Sequence, residues 1–228
     1  MGLMTNQVVL VTGAGTGLGR ATAIQMATEG AKVILTGRRK EKLQEVAQVI
    51  EQIGGQSIVF PVDVTQSEEV NKLREELIAQ VGRGDVLINN VGGTGDYSTV
   101  HDMTVSSWDH TIRLNLYSSF LVTNAILPLM RKQQYGRIVS ITSAMANFEY
   151  EGLGAYSAAK AGLEGLMRTV AIEEKNHGIL VNMFDPGNLK TEQNPYGEGD
   201  PAMVVDGIVK LATLPADGMN GQVIRANQ

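Results

Sequence analysis

The sequence predicts an α/β fold, a single-domain Rossmann-type doubly wound parallel sheet of about seven strands flanked by helices on both faces. Three observations carry this. Seven short runs rich in Val and Ile recur along the 228 residues. Most of them lack polar–apolar alternation, the mark of strands buried on both faces. The segments between them are long enough for crossover helices, which right-handed connections distribute to both sides.

"QVVLVT" (7–12) reads as the first strand. "GAGTGLG" (13–19) follows it and opens the first helix. "KVILT" (32–36) is the second strand, and Gly54-Gly55 close the helix after it. "QSIVFPV" (56–62) is the third strand. "TQSEEV" (65–70) then starts a helix with an expected capping box, Thr65 and Glu68, ahead of Val70, Leu73 and Leu77; Gly82 ends it. "DVLINN" (85–90) is the fourth strand. In "SSWDHTIRLNLYSSFLVTNAIL" (106–127) one helix carries an apolar stripe of Trp108, Ile112, Leu116, Phe120 and Leu127, with Asn115 and Ser119 beside it. "GRIVSIT" (136–142), "ILVNMF" (179–184) and "GQVIRA" (221–226) complete the strands. "GNLKTEQNPYGEGDP" (187–201) is the least regular stretch, and a short, mobile substrate loop is expected there, near the carboxyl end of a late strand. No repeat, low-complexity tract or linker divides the chain, so residues 1–228 are expected to form one dinucleotide-binding catalytic domain.

Composition narrows the function. The net charge of −5 argues against nucleic-acid binding by phosphate neutralisation. The chain has no cysteine, which excludes disulfides, thiolate catalysis and Cys-ligated zinc. His101, His110 and His177 are scattered without ligand spacing, so no metal is expected. No apolar run reaches the roughly 18 residues of a membrane span, and no secretory signal is visible; a cytoplasmic protein is expected.

The glycines after the first strand point to a dinucleotide. Gly13, Gly17 and Gly19 let the backbone turn tightly and approach a pyrophosphate, and the helix start offers free N–H groups to it. The spacing is T-G-x-x-x-G-x-G, with Leu18 standing where the last Gly of G-x-G-x-x-G would be. At the end of the second strand an acid would bind the ribose 2′-OH of NAD, and an Arg would accommodate the 2′-phosphate of NADP. This chain has no acid there but Arg38 and Arg39. Arg38 is read as the phosphate partner and Arg39 as a solvated helix start, so NADP is preferred and NAD remains open.

"GAYSAAKAG" (154–162) sets Tyr156 four residues before Lys160. On a helix these share a face, where an ammonium would favour the phenolate and lower the tyrosine pKa. The same pair also fits a plain helix start with a boundary Tyr and a solvated Lys. Asn115 reads equally as a satisfied core Asn, and Ser143 as a strand-to-loop Ser.

These motifs together resemble the classical short-chain dehydrogenase/reductase family. The matches are "TGAGTGLG" (12–19), "DV" (63–64), "NNVG" (89–92), Asn115, Ser143, "YSAAK" (156–160) and "PGNLKT" (186–191), in the family's order and spacing. The resemblance implies hydride exchange between a nicotinamide and a small-molecule carbonyl or secondary alcohol. It makes Tyr156 the general acid/base, with Lys160 lowering its pKa and bonding the nicotinamide ribose. Ser143 would polarise the carbonyl, and Asn115 would hold a water linking Lys160 to solvent. Asp63 and Val64 would flank the adenine, and Asn90 and Gly92 would line the cofactor. Gly187, Leu189 and Thr191 would hold the carboxamide. Thr16 stands where many NADP-dependent members carry a second basic residue. A homo-tetramer or homo-dimer is implied, and the small face of "AAKAGLEGLMRTVAIEE" (158–174) suits close helix packing. Phe148, Tyr150, Leu153, Leu189 and Tyr196 are candidates for an apolar substrate wall. Two other readings stay open: a 3-oxoacyl thioester reductase acting on an acyl-carrier protein, and a non-catalytic dinucleotide-sensing protein.

Overall fold

The computed structural model describes residues 2–226. The expected strands all form: β1 (Val8–Thr12), β2 (Lys32–Gly37), β3 (Gln56–Pro61), β4 (Val86–Asn89), β5 (Gly136–Ile141), β6 (Ile179–Asp185) and β7 (Val223–Arg225). They make one sheet in the order β3-β2-β1-β4-β5-β6-β7, every neighbouring pair parallel. Val9 of β1 stands between Val33 of β2 and Val86 of β4, so the first strand is central. The chain winds outward from β1 to β3, then returns to β4 and winds the other way. Because all strands run in one direction, their carboxyl ends share one edge, and the switch between β1 and β4 opens a crevice there.

The crossovers are α1 (Gly17–Thr28), α2 (Lys40–Gln52), α3 (Ser67–Gln80), α4 (Val105–Ile112), α5 (Ser118–Gln133), α6 (Gly154–Glu174) and α7 (Val205–Ala212). Two apolar cores form, one on each face of the sheet. Met26, Leu43, Ile50 and Ile208 bring α1, α2 and α7 onto one face. Leu77, Ile126 and Met167 bring α3, α5 and α6 onto the other. β1, β4, β5 and β6 are buried throughout, which explains their unbroken apolar runs. β3 and β7, at the two sheet edges, are only partly buried.

Two local expectations are corrected. The capping box does not form, because Asp63 takes the Thr65 N–H that Glu68 would have accepted. Its Oδ1 accepts from Thr65 N at 3.0 Å and from Thr65 Oγ1 at 2.7 Å. The helix starts one residue later, with Gln66 at the N-cap, and Glu69 rather than Glu68 reaches back, accepting from Asp63 N at 2.8 Å.

The apolar stripe before β5 also differs. α4 and α5 are joined without a break by a π-helical turn, Arg113–Tyr117. A π turn adds a residue and rotates the face that follows. Phe120, which follows the turn, is 43% exposed and Trp108, which precedes it, is 40% exposed, while Thr111, Asn115, Ser118 and Ser119 are buried. Through the turn itself the buried side is small and polar, whereas Val122, Ile126, Leu129 and Met130 further along α5 pack into the core, with Leu116 and Leu127 of the expected stripe against them.

Candidate active site

β1 ends at Thr12, and its carboxyl edge opens into the glycine turn. Gly13 and Gly17 adopt φ values of +66° and +53°, which L side chains rarely adopt. At Gly19 the constraint is space, since a Cβ there would lie 2.2 Å from the Gly13 carbonyl oxygen. Leu18 is buried in the core and anchors the turn. The Thr16 N-cap makes no side-chain capping bond, and the first turn of α1 holds no acid. The helix therefore brings no carboxylate of its own to its first N–H groups, which suits a pyrophosphate.

The end of β2 lies beside this cradle. Arg38 is exposed, and no hydrogen bond or ion pair among the described residues engages it. Arg39 corrects the expectation of a merely solvated side chain. It forms a two-pronged ion pair with Glu192, 2.7 Å on each arm, and its NH2 reaches Thr16 Oγ1 at 3.4 Å. Its guanidinium thus ties the β2 end to the glycine turn and to the loop after β6. Glu192 was not among the candidates, because 153 residues separate the pair and nothing in either local sequence announces it.

β4 ends in an anchored corner. Asn90 donates from Nδ2 to the Thr12 carbonyl at 2.8 Å, and the Thr12 hydroxyl accepts from Asn90 N at 2.9 Å. Asn115, fully buried in the π turn, donates to the Gly93 and Thr111 carbonyls at 2.8 and 2.9 Å, and its Oδ1 accepts from Gly93 N at 3.0 Å. A Cβ on Gly92 would meet Asn115 Oδ1 at 2.7 Å and Lys160 Nζ at 3.1 Å, so only glycine fits between them. The Asn115 amide holds the loop that lines the crevice. Val64 is buried in the core after β3, while Asp63 keeps one carboxylate oxygen on Thr65.

β5 leads to Ser143, whose Oγ accepts from Met145 N at 3.3 Å. That leaves its O–H free to donate. Facing it, α6 carries Tyr156 and Lys160 on one side, with Lys160 Nζ 5.6 Å from the centre of the phenol ring. Lys160 is 3% exposed and donates to the Ile141 carbonyl at 2.8 Å. Burial lowers its ammonium to about 8, opposed by the carboxylate of Asp185. The tyrosine runs against the expected direction. Burial pushes the phenol above its ordinary value, the Ser143 hydrogen bond pulls it back, and Asp185 and Tyr97 push it further up. Without a further positive charge, Tyr156 is a protonated donor.

The loop after β6 closes the site. Asp185 Oδ1 accepts from Gly187 N at 3.1 Å, fixing a glycine with φ of +73°. Asp185 was missed, although an acid ending the apolar run "ILVNMFD" was a visible signal. The loop expected to be mobile is knit together: Lys190 N donates to the Gly199 carbonyl at 2.7 Å, and Thr191 N to the Asn194 carbonyl at 3.0 Å. Thr191 packs on the glycine turn, its Cγ2 3.2 Å from where a Gly17 Cβ would be. The apolar wall divides. Leu153 and Leu189 are buried, whereas Phe148, Tyr150 and Tyr196 are exposed.

Comparison with known proteins agrees with this arrangement. Residues 7–198 match the family model described as short chain dehydrogenase. A 3-oxoacyl-(acyl-carrier-protein) reductase from Synechocystis sp. is 38% identical over 205 residues, covering 89% of this chain and 82% of that protein. A metagenomic short-chain oxidoreductase solved in complex with NADP superposes with a TM-score of 0.88 at 32% identity, covering 98% of each chain. A 7α-hydroxysteroid dehydrogenase, complexed with NADH and 7-oxo glycochenodeoxycholic acid, superposes with a TM-score of 0.91 at 27% identity, covering 97% of this chain and 93% of that one. The cradle, the paired Tyr156 and Lys160, and a match over most of the chain converge: this protein belongs to the short-chain dehydrogenase family, oxidoreductases that interconvert CH–OH and C=O groups.

Proposed function

We propose that the protein is an NADP(H)-dependent reductase of small carbonyl compounds, reversible as an alcohol dehydrogenase. The observation that carries this reading is the placement of Ser143, Tyr156 and Lys160 together, beside a glycine turn whose helix carries no acid in its first turn. The nicotinamide would supply the hydride. Ser143 orients the carbonyl oxygen through its O–H, and Tyr156 delivers the phenolic proton to that oxygen. Lys160 stands behind the phenol, and in the reverse direction its positive charge favours the phenolate. Asn115 acts here by fixing the loop of Gly92 and Gly93 against Lys160. The unengaged guanidinium of Arg38 favours a 2′-phosphate, which supports NADP over NAD.

The test is a carbonyl panel run with NADPH and with NADH, alongside Tyr156→Phe. Turnover in the wild type should fall at least about a thousandfold in the variant. NADPH should still raise the melting temperature of that variant, and raise it more than NADH does. Substantial turnover by Tyr156→Phe removes the assigned mechanism. A larger shift with NADH removes the role of Arg38.

A second reading, reduction of a 3-oxoacyl thioester, is favoured by the similarity to the Synechocystis reductase. Acetoacetyl-CoA in the panel discriminates, since a thioester reductase should prefer it to simple ketones. The exposed Trp108 and Phe120 on the outer side of α4 and α5, with Ile172 on α6, support a homo-oligomer, which light scattering would read directly.

A further inference from the structure

α6 carries a straight row at four-residue spacing: Tyr156, Lys160, Glu164 and Arg168. The first two belong to the proposed chemistry. Glu164 does not, yet it is only 2% exposed. A buried carboxylate is costly unless it is paired and hydrogen-bonded, and here both oxygens are engaged. Oε1 accepts from Thr142 Oγ1 at 2.9 Å. Oε2 accepts from Asn147 Nδ2 at 3.4 Å and pairs with Arg168 at 3.2 Å.

The partners matter by their place in the chain. Ile141, Thr142 and Ser143 are consecutive. Lys160 grips the first through its carbonyl and Glu164 grips the second through its hydroxyl. Asn147, held by the other oxygen, lies at the end of the short turn that Ser143 begins. The segment bearing Ser143 is thereby fastened to the helix bearing Tyr156 on both sides.

We propose that Glu164 is a positioning residue that sets where Ser143 stands relative to Tyr156. The proposal rests on the reading of Ser143 and Tyr156 as partners. Glu164 touches neither of them, so its effect runs through Thr142 and Asn147.

The sign of one measurement separates positioning from charge. The groups facing the phenol are the Lys160 ammonium, the Asp185 carboxylate, Tyr97 and Ser143. Removing a nearby negative charge would by itself make the phenol easier to ionise. Loosening Ser143 would do the opposite, because a hydroxyl held where it can donate to the phenolate favours that form.

Tyr156 ionisation is read as tyrosinate absorbance, each protein minus its own Tyr156→Phe form. Glu164→Leu should move the midpoint upward, as Ser143→Ala does, and the two together should move it no further than Ser143→Ala alone. Thr142→Val, which keeps the shape and removes the hydroxyl, should reproduce the rise if Glu164→Leu folds poorly. Glu164→Gln, whose amide oxygen still accepts from Thr142, should largely restore the wild-type midpoint. Arg168→Gln should leave the midpoint unchanged.

With NADPH and acetoacetyl-CoA, Glu164→Leu should lose on the order of 10- to 100-fold in kcat while the Kd for NADPH stays within about twofold. An unchanged or lowered midpoint in both Glu164→Leu and Thr142→Val overturns the proposal. So does a rise that adds fully to that of Ser143→Ala. If the wild type reduces no carbonyl at all, the functional reading fails, while the absorbance result still decides on Glu164.

Discussion

Lys160 is an ammonium in a place where the protein would be more stable without the charge. Its native value of about 8 lies below the ordinary 10.5. Between those values the unfolded chain holds the proton and the folded chain does not, so stability rises with pH across that window. Below pH 8 both states are charged and the penalty is constant. Against Lys160→Met, the urea unfolding free energy of the wild type should therefore be offset by a constant amount below pH 8. It should then gain about 3 kcal/mol on the variant as pH rises to about 10.5. A flat difference across that range would mean that Lys160 is not buried as a cation. The pairing of Tyr156 with Lys160 was legible in the sequence because helix spacing alone puts them together. The burial that shifts both of them was not, because it depends on Asp185, Ile141 and Ser143 arriving from other strands.

At the scale of elements, the corner between β4 and α5 shows how a polar residue shapes a helix. Asn115 uses three hydrogen bonds, two of them to Gly93, and it sits where the helix widens to a π turn. Asn115→Leu would strand the Gly93 N–H and C=O in a half-buried place. A loss of about 2–4 kcal/mol is expected, read as a lowered urea midpoint, together with loss of the melting shift by NADPH. Asn115→Asp, which keeps the acceptor for Gly93 N and loses both donors, should lose less of its loop anchoring. The sequence marked Asn115 as unusual but misjudged its surroundings, because helical periodicity assumes 3.6 residues per turn and the extra residue here shifts the face. The capping box failed for a similar reason. Thr65 and Glu68 have the right spacing, but Asp63, two residues upstream, takes the Thr65 N–H that Glu68 would have accepted. Strand positions were more legible, since a strand buried on both faces leaves a run that no helix of that length imitates.

For the whole molecule, strand count, parallel pairing and the position of the cradle followed from the order of runs and glycines. The bridge from Arg39 to Glu192 did not, since it joins two loops that only the folded sheet brings to one edge. Those carboxylate and guanidinium groups are about half exposed, so the pair should weaken with salt. Raising ionic strength should speed NADPH dissociation from the wild type more than from Glu192→Gln, as stopped-flow fluorescence would show. The winding of the sheet has another consequence. The chain crosses from its first half, β1 to α3, to its second, β4 to β7, only once, through Val81–Asp85. Gly82 and Arg83 are exposed there, at the edge away from the cradle. Val8 N bonds Asp85 Oδ2 at 2.8 Å, and β1 pairs with β4 across the seam. The protein is thus divisible: cut between Gly82 and Arg83, one fragment owns the phosphate cradle and the other owns Ser143, Tyr156 and Lys160. Neither fragment alone should show a melting shift with NADPH, and the two co-expressed should recover it, which would make the enzyme a two-part reporter of proximity.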